Sequence, residues 1–317
     1  MKGSESMIVT VTMNPAIDKT VEVGQFVSRG LNRIRKVEYD AGGKGINVSK
    51  TIHELGGTSV ATGFLGGNNG QVIANVLKEK GIACDFVWVD GETRTNTKVV
   101  EDDGSLTELN EPGVWISEES ISQLEQKLLG YANPNTLFVF SGSIPAGVPK
   151  EIYGELISLV KSKGAAALLD ADGEVFRMSV EAIPDYIKPN QVELEGYLKL
   201  HKDASVAELV KGAEGIKAKG IQNIVVSMGK DGALFLLEGY RAKCPGISVK
   251  AHSTVGAGDA MVAALAYAWD RKLGKEETVK LCMAVSAGAV TTVGTKPPSK
   301  NVVDDLMNQV RIESVGG

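Results

Sequence analysis

Residues that build metal centres and disulfide frameworks are scarce in this chain. Its 317 residues include three cysteines and three histidines, and Cys84, Cys244 and Cys282 are odd in number, far apart and without ligand-like spacing. A stapled secreted fold and a Cys/His metal site are both disfavoured, and reduced thiols fit a cytoplasmic protein. No apolar run approaches the ~20 residues a membrane-spanning helix needs. The polar start Met1-Lys2-Gly3-Ser4-Glu5-Ser6 lacks the apolar stretch of an export signal. A net charge of −5 without a basic stripe argues against a nucleic-acid surface. Local cations and backbone amides can still hold a phosphate in such a protein. Three catalytic signatures are missing as well. A dinucleotide fingerprint does not follow the first apolar run, no Gly-x-Ser-x-Gly elbow occurs, and Lys44 is followed by Gly45 instead of the Ser or Thr of a Walker A loop.

What the chain does contain is a repeated alternation of strand-like and helix-like segments. β-Branched and apolar runs at Met7–Met13, Thr136–Ser141, Ala165–Asp170 and Ile221–Met228 read as buried strands. Amphipathic stretches at about Gly45–Leu55, Gly70–Lys80, Ser120–Leu129, Lys150–Lys163 and Val206–Lys219 read as helices. Strand then helix, repeated, predicts an α/β fold: a doubly wound, mostly parallel sheet flanked by helices. Residues 20–40 and 82–110 instead alternate polar and apolar, with a hairpin signal at Asp103-Gly104. These predict a small β-sheet lid formed by about 16–40 and 82–113. With no linker tract, low-complexity segment or repeat, residues 1–317 are expected to form one domain.

Ligands of open α/β sheets bind where strands lead into helices, and glycine-rich turns mark several such junctions. Gly256-Ala257-Gly258-Asp259 opens an alanine-rich helix. Free N–H groups and the helix dipole there suit an anion, and Asp259 is placed to accept a proton from a hydroxyl. A simple helix cap would use the same residues. Gly42-Gly43-Lys44-Gly45-Ile46-Asn47 is an amide-rich turn with one cation, suited to sugar hydroxyls and a phosphate or serving only as a tight turn. Lys188-Pro189-Asn190-Gln191-Val192-Glu193 reads as a capping box or as groups around a metal–nucleotide phosphate. Ser227-Met228-Gly229 and Ser141-Gly142-Ser143 end strands in turns that could touch phosphate. Asp18 follows the Asn14-Pro15 turn, and Arg94 lies in the alternating region, its planar fork suited to a phosphate.

Taken in order, these segments resemble the ribokinase-type (PfkB) carbohydrate kinases over nearly the whole chain. The likeness is greatest to the sugar-phosphate branch that contains the 1-phosphofructokinases and tagatose-6-phosphate kinases, with the approach Ser253-Thr254-Val255-Gly256 leaning towards the former. The resemblance implies an ATP-dependent kinase that phosphorylates a ketohexose monophosphate, fructose 1-phosphate first, with Asp259 as general base. Tagatose 6-phosphate, fructose 6-phosphate and a non-catalytic sugar-phosphate sensor are the alternatives, and the intact Asp259 turn weighs against the sensor. It implies that amides at Gly256, Ala257 and Gly258 form an anion hole. Asp18, Gly42, Gly43, Lys44, Asn47, Arg94 and Ser141 would hold the sugar phosphate. Lys188, Asn190, Glu193, Ser227, Gly229, Gly256 and Gly258 would face Mg-ATP, with Glu193 reaching the magnesium through water and Cys282–Val290 packing near the adenine. A homodimer joined through the lid is also implied.

Overall fold

The computed structural model describes residues 6–314. Residues 1–5, most of the polar start, and 315–317 lie outside the described residues. The chain enters a large sheet with β1 (Met7–Thr12), leaves it for β2 (Ala16–Glu22) and β3 (Lys36–Gly42) of a smaller one, and returns through α1 (Lys44–Glu54) to β4 (Val60–Leu65). Helix α2 (Gly67–Glu79) leads to two short segments, β5 (Ala83–Cys84) and β6 (Val87–Trp88). Strands β7 (Arg94–Val100) and β8 (Leu106–Asn110) then complete the smaller sheet. The next elements are α3 (Glu118–Tyr131), β9 (Thr136–Ser141), α4 (Ile152–Lys161), β10 (Ala166–Asp170), α5 (Gly173–Ser179) and β11 (Tyr186–Ile187). After α6 (Gln191–Leu198) and α7 (Val206–Ala218) come β12 (Asn223–Ser227), β13 (Ala233–Leu237) and β14 (Tyr240–Cys244), and the chain closes with α8 (Ala257–Asp270), α9 (Lys275–Ala289) and α10 (Lys300–Met307).

The large sheet runs in the order β14-β13-β12-β11-β10-β9-β1-β4-β5, with β6 also on β4. Every pairing from β12 to β5 is parallel, and only β13 runs against the others, pairing antiparallel with β12 on one side and β14 on the other. This is the expected doubly wound architecture. Its strands are apolar on both sides because both sides are covered. Phe138 and Phe140 of β9 join a core with Leu124 of α3 and Leu156 of α4. The alternate residues Leu137 and Val139 join the opposite core, with Val48 of α1, Ala263 of α8 and Val285 of α9. No described helix is long and apolar enough to cross a membrane.

The smaller sheet has the order β3-β2-β7-β8. Its β7–β8 hairpin turns at Gly104, whose φ of 84° suits the glycine of the Asp103-Gly104 signal. The boundary differs from the expected one. Residues 82–93 belong to the stretch whose alternation predicts the small sheet, but Ala83–Cys84 and Val87–Trp88 pair in parallel with β4 of the large sheet. Their alternation arises because they lie at the edge of that sheet, with one side wet: Val87 is buried while Trp88 is 51% exposed. Helix α9 gave no amphipathic signal because it is buried on most sides, Leu281 through Val285 consecutively. Since the central strands are parallel, Thr12, Ser141, Asp170 and Ser227 all end on one edge, and the small sheet stands beside that edge.

Candidate active site

Asp259 lies in the first turn of α8, behind Gly256, which has a left-handed φ of 85° that a glycine adopts without a Cβ clash. The first N–H groups of a helix lack intrahelical partners and point outward with the positive end of the dipole. Lys188 stands beside this turn: a methyl group on Gly258 would lie 3.5 Å from its Nζ. Asp259 is only 8% exposed, and its Oδ2 accepts a hydrogen bond of 2.9 Å from Asn47 Nδ2. Asn47 is on α1, which starts after Gly43 at φ 109°. A side chain on Gly43 would press within 2.8 Å of Thr12 and 3.0 Å of Pro15, so only glycine lets α1 begin this close to β1.

Asp170 ends β10 and is 3% exposed. It faces Lys188 at 3.2 Å and Lys44 at 3.6 Å, and it accepts a hydrogen bond of 3.1 Å from Ser141 Oγ. Burial works to raise its pKa, but Lys188, Lys44 and these hydrogen bonds hold it below the usual carboxylate range. Lys44 is in turn held well above the ordinary lysine value, chiefly by Asp170. Sequence reasoning missed Asp170. The available signal was an aspartate closing the apolar run Ala165–Asp170, which is where a doubly wound sheet places functional groups.

Asp259, Lys44 and Gly256 form a wall shared by two cavities. The smaller, of about 290 Å³, lies under the small sheet. Alternate residues of β7, Arg94, Asn96 and Lys98, face it together with Asp18 of β2 and Glu108 and Asn110 of β8. Asp18 is paired with Lys98 at 3.2 Å. Arg94 donates to the carbonyls of Glu111 and Asn14, and burial lowers its pKa. Among the described residues, six buried side-chain polar atoms have no hydrogen-bond partner. Those of Thr12, Asn47, Arg94, Asn96 and Thr295 all belong to residues lining this cavity. Unpaired buried polar groups are costly, so their concentration here leaves the cavity wall with hydrogen-bonding capacity that a polar partner could use.

The larger cavity, of about 750 Å³, runs along the start of α8 to β12. Lys188, Asn190, Glu193, Ser227 and Gly229 come together in its lining, and Lys230 adds a cation. Its far wall is apolar, built from Ile247, Val249, Met261, Met283, Ala287 and Val290, and so includes the Cys282–Val290 segment. The capping box is real: Asn190 Oδ1 accepts from Glu193 N, and Glu193 Oε2 accepts from Asn190 N, both at 2.8 Å. The capping-box reading of this motif holds, and Glu193 also lines the larger cavity. Burial raises the Glu193 pKa, against the hydrogen bond from Asn190. Gly42 is the one predicted residue that lines neither cavity. Its role is contact, since a Cβ there would meet the Asp18 carboxylate at 2.6 Å. Lys98, Asn96 and Thr295, which no sequence motif marks, also line the smaller cavity, as does Asn14 of the Asn14-Pro15 turn.

A buried carboxylate between a polar cationic cavity and a larger half-apolar one, with a helix start beside it, is the layout of an ATP-dependent sugar-phosphate kinase. Comparison with known proteins agrees. Residues 11–301 match the pfkB family of carbohydrate kinases. A 1-phosphofructokinase of Borreliella burgdorferi is 36% identical over 98% of this chain and 99% of its own length. One from Vibrio cholerae is 32% identical over 97% of each chain. The solved phosphofructokinase-2 of Escherichia coli superimposes with a TM-score of 0.91 at 28% identity, covering 96% of this chain and 99% of that one. The chain belongs to the pfkB family of carbohydrate kinases.

Burial pushes Asp259 up first and Asp170 adds to it, while Lys44, the Asn47 hydrogen bond and Lys188 oppose; the outcome is a pKa of about 6. With the folded value raised, the native state keeps a proton that the unfolded chain releases. This contribution to stability is full below the unfolded value and is lost as pH rises through about 6. Asp259→Asn is therefore expected to be more stable than the parent protein at pH 8 by about 1–3 kcal/mol. Urea titrations at pH 4.5 and 8 should show that gap shrinking at the lower pH, and no gap at pH 8 would mean the carboxylate is well solvated.

Proposed function

We propose that this kinase transfers the γ-phosphoryl group of ATP to the 6-hydroxyl of fructose 1-phosphate, giving fructose 1,6-bisphosphate and ADP, with Asp259 as general base. The supporting observation is the smaller cavity, which gathers the cations Lys44, Arg94 and Lys98 and five residues with unpaired polar atoms around the Asp259 carboxylate. A phosphorylated polyol suits that combination of cations and unpaired polar groups, with a free primary hydroxyl turned towards Asp259. The choice of fructose 1-phosphate follows the naming of the relatives in Borreliella and Vibrio. Fructose 6-phosphate is the second reading, favoured by the likeness to a phosphofructokinase-2.

In this reading the 6-oxygen attacks the γ-phosphorus as Asp259 takes its proton; the new P–O bond forms while the bond to the β-phosphate oxygen breaks and ADP departs. Asp259 must be ionised to do this, and a pKa near 6 keeps it both ionised at neutral pH and basic enough to accept the proton. Amides at Gly256, Ala257 and Gly258, with Lys44 and Lys188, lie where charge builds on the transferring group. Asp18, Gly43, Asn47, Arg94 and Ser141 hold the sugar phosphate, and Asn190, Ser227 and Gly229 hold the nucleotide. Among the described residues, no three acidic or His/Cys side chains converge. The donor set fits a hard divalent cation kept mainly by phosphate oxygens and water, with Glu193 as its protein neighbour. Magnesium in that place would neutralise charge on the triphosphate. The small sheet would close over the sugar and exclude water. Its exposed Tyr39 and Leu109, with Leu31 and Ile34 in the β2–β3 connection, suit pairing of two copies through the lid, in the cytoplasm.

An ADP-release assay with fructose 1-phosphate, fructose 6-phosphate and tagatose 6-phosphate tests the acceptor. The first should give the highest kcat/KM, and a preference for another sugar would reassign the substrate. Asp259→Asn should reduce kcat by about 10²–10⁴-fold. The parent enzyme should lose kcat/KM below pH about 6; near-normal turnover in the variant would remove Asp259 as the base. Arg94→Ala should raise the KM for the sugar phosphate by about 10–100-fold, as for a lost charge-assisted hydrogen bond, leaving that for ATP within about twofold.

A further inference from the structure

Lys50 is a buried cation outside the reaction just described. It lies on α1, 3% exposed, among the buried residues Ile46, Val48 and Ile52. Its Nζ reaches back to the small sheet, 2.9 Å from Asp40 Oδ2 and 2.7 Å from the carbonyl oxygen of Ala41. Burial lowers its pKa, and Asp40 opposes that shift. A buried lysine is retained at such a cost only where a partner holds it. An apolar side chain would otherwise serve this face of α1.

The partner explains the need. Asp40 on β3 stands directly opposite Asp18 on β2 in the antiparallel register. Like charges facing each other across a strand pair are destabilising. Each carboxylate has its own lysine: Lys98 lies 3.2 Å from Asp18, and Lys50 holds Asp40. The four form a balanced ladder from α1 through β3 and β2 to β7. Helix α1 also carries Lys44 and Asn47, which contact Asp170 and Asp259. Three side chains spaced three residues apart thus address three carboxylates, one each at the phosphate side, at the candidate base and in the small sheet.

We infer that Lys50 is a positioning residue for the sugar phosphate: by neutralising Asp40 and fixing the end of β3 to α1, it holds the Asp18 carboxylate in the conformation that receives the sugar. This inference rests on the proposed role of Asp18. Losing the charge at Lys50 leaves Asp40 uncompensated beside Asp18, which should then turn away or be displaced. The ATP side has no part in the ladder.

Steady-state kinetics with fructose 1-phosphate on a set of variants test it. Lys50→Met should raise the sugar-phosphate KM at least tenfold, with kcat at saturating sugar within about threefold and the KM for ATP within about twofold. Lys50→Arg should restore the parent values. Lys50→Gln can keep the bond to Ala41 without the charge, and it gives the same test should the methionine variant not fold. The decisive variant is Asp40→Asn combined with Lys50→Met, which removes the facing charge together with its neutraliser. Its KM should return to within about threefold of the parent, whereas a packing role alone would leave it as impaired as the single variant. Equal KM in Lys50→Met and parent, or no recovery in the double variant, overturns the inference. An unchanged KM in Asp18→Asn would instead overturn the role given to Asp18.

Discussion

The site depends on keeping one carboxylate almost dry while leaving it able to ionise. Burial pushes the Asp259 pKa up, and a second buried carboxylate, Asp170, pushes the same way. Lys44, Lys188 and the amide of Asn47 pull back, and the balance falls at about 6. Asp170 is therefore more than a repulsive neighbour. It fixes two lysines at 3.6 and 3.2 Å, beside the start of α8, before any phosphate arrives. Buried ion pairs add little to folding on balance. Their value here is that the positive groups need no reorganisation when negative charge enters.

That balance is delivered by topology. Parallel strands bring Ser141 and Asp170 to one edge, and α1 and α8 begin at glycines that permit their close approach. The two helices pack in the same core, which fixes the hydrogen bond between Asn47 and Asp259 although 212 residues separate them. The small sheet supplies the rest from alternate positions of neighbouring strands, so its pleat directs Asp18, Arg94, Asn96 and Lys98 to one side.

Much of this could be read from the residues in order. The fold followed from apolar runs alternating with amphipathic ones, because a doubly wound sheet leaves that trace in the chain. Glycine turns betrayed the helix starts at Gly43 and Gly256, since the required backbone conformations are rare for other residues. Asp170 and Lys98 left fainter traces. An aspartate after Leu168-Leu169 and a lysine within an alternating strand gain meaning only through partners brought close by the fold, Lys188 and Asp18. The assignment of residues 82–93 to the small sheet failed for a related reason. Alternation reports one wet side but not which sheet the dry side joins, and pairing with β4 decided that. The Asn190–Glu193 motif is instructive too, because capping a helix does not withdraw its residues from a cavity: both close the capping box and both line the larger chamber.

The partition between the two cavities has an evolutionary corollary. Only a narrow septum, Lys44, Gly256 and Asp259, is common to both chambers. The smaller chamber draws Asp18, Arg94, Asn96, Lys98, Glu108 and Asn110 from strands of the auxiliary sheet, whereas the larger one takes none from it and is walled in part by α8, α9 and the ends of β11 and β12. Exchanging residues at a few β-strand positions would reshape the smaller chamber while the larger one and the shared septum stayed untouched. A scaffold divided in this way is well suited to diversification by small, local steps.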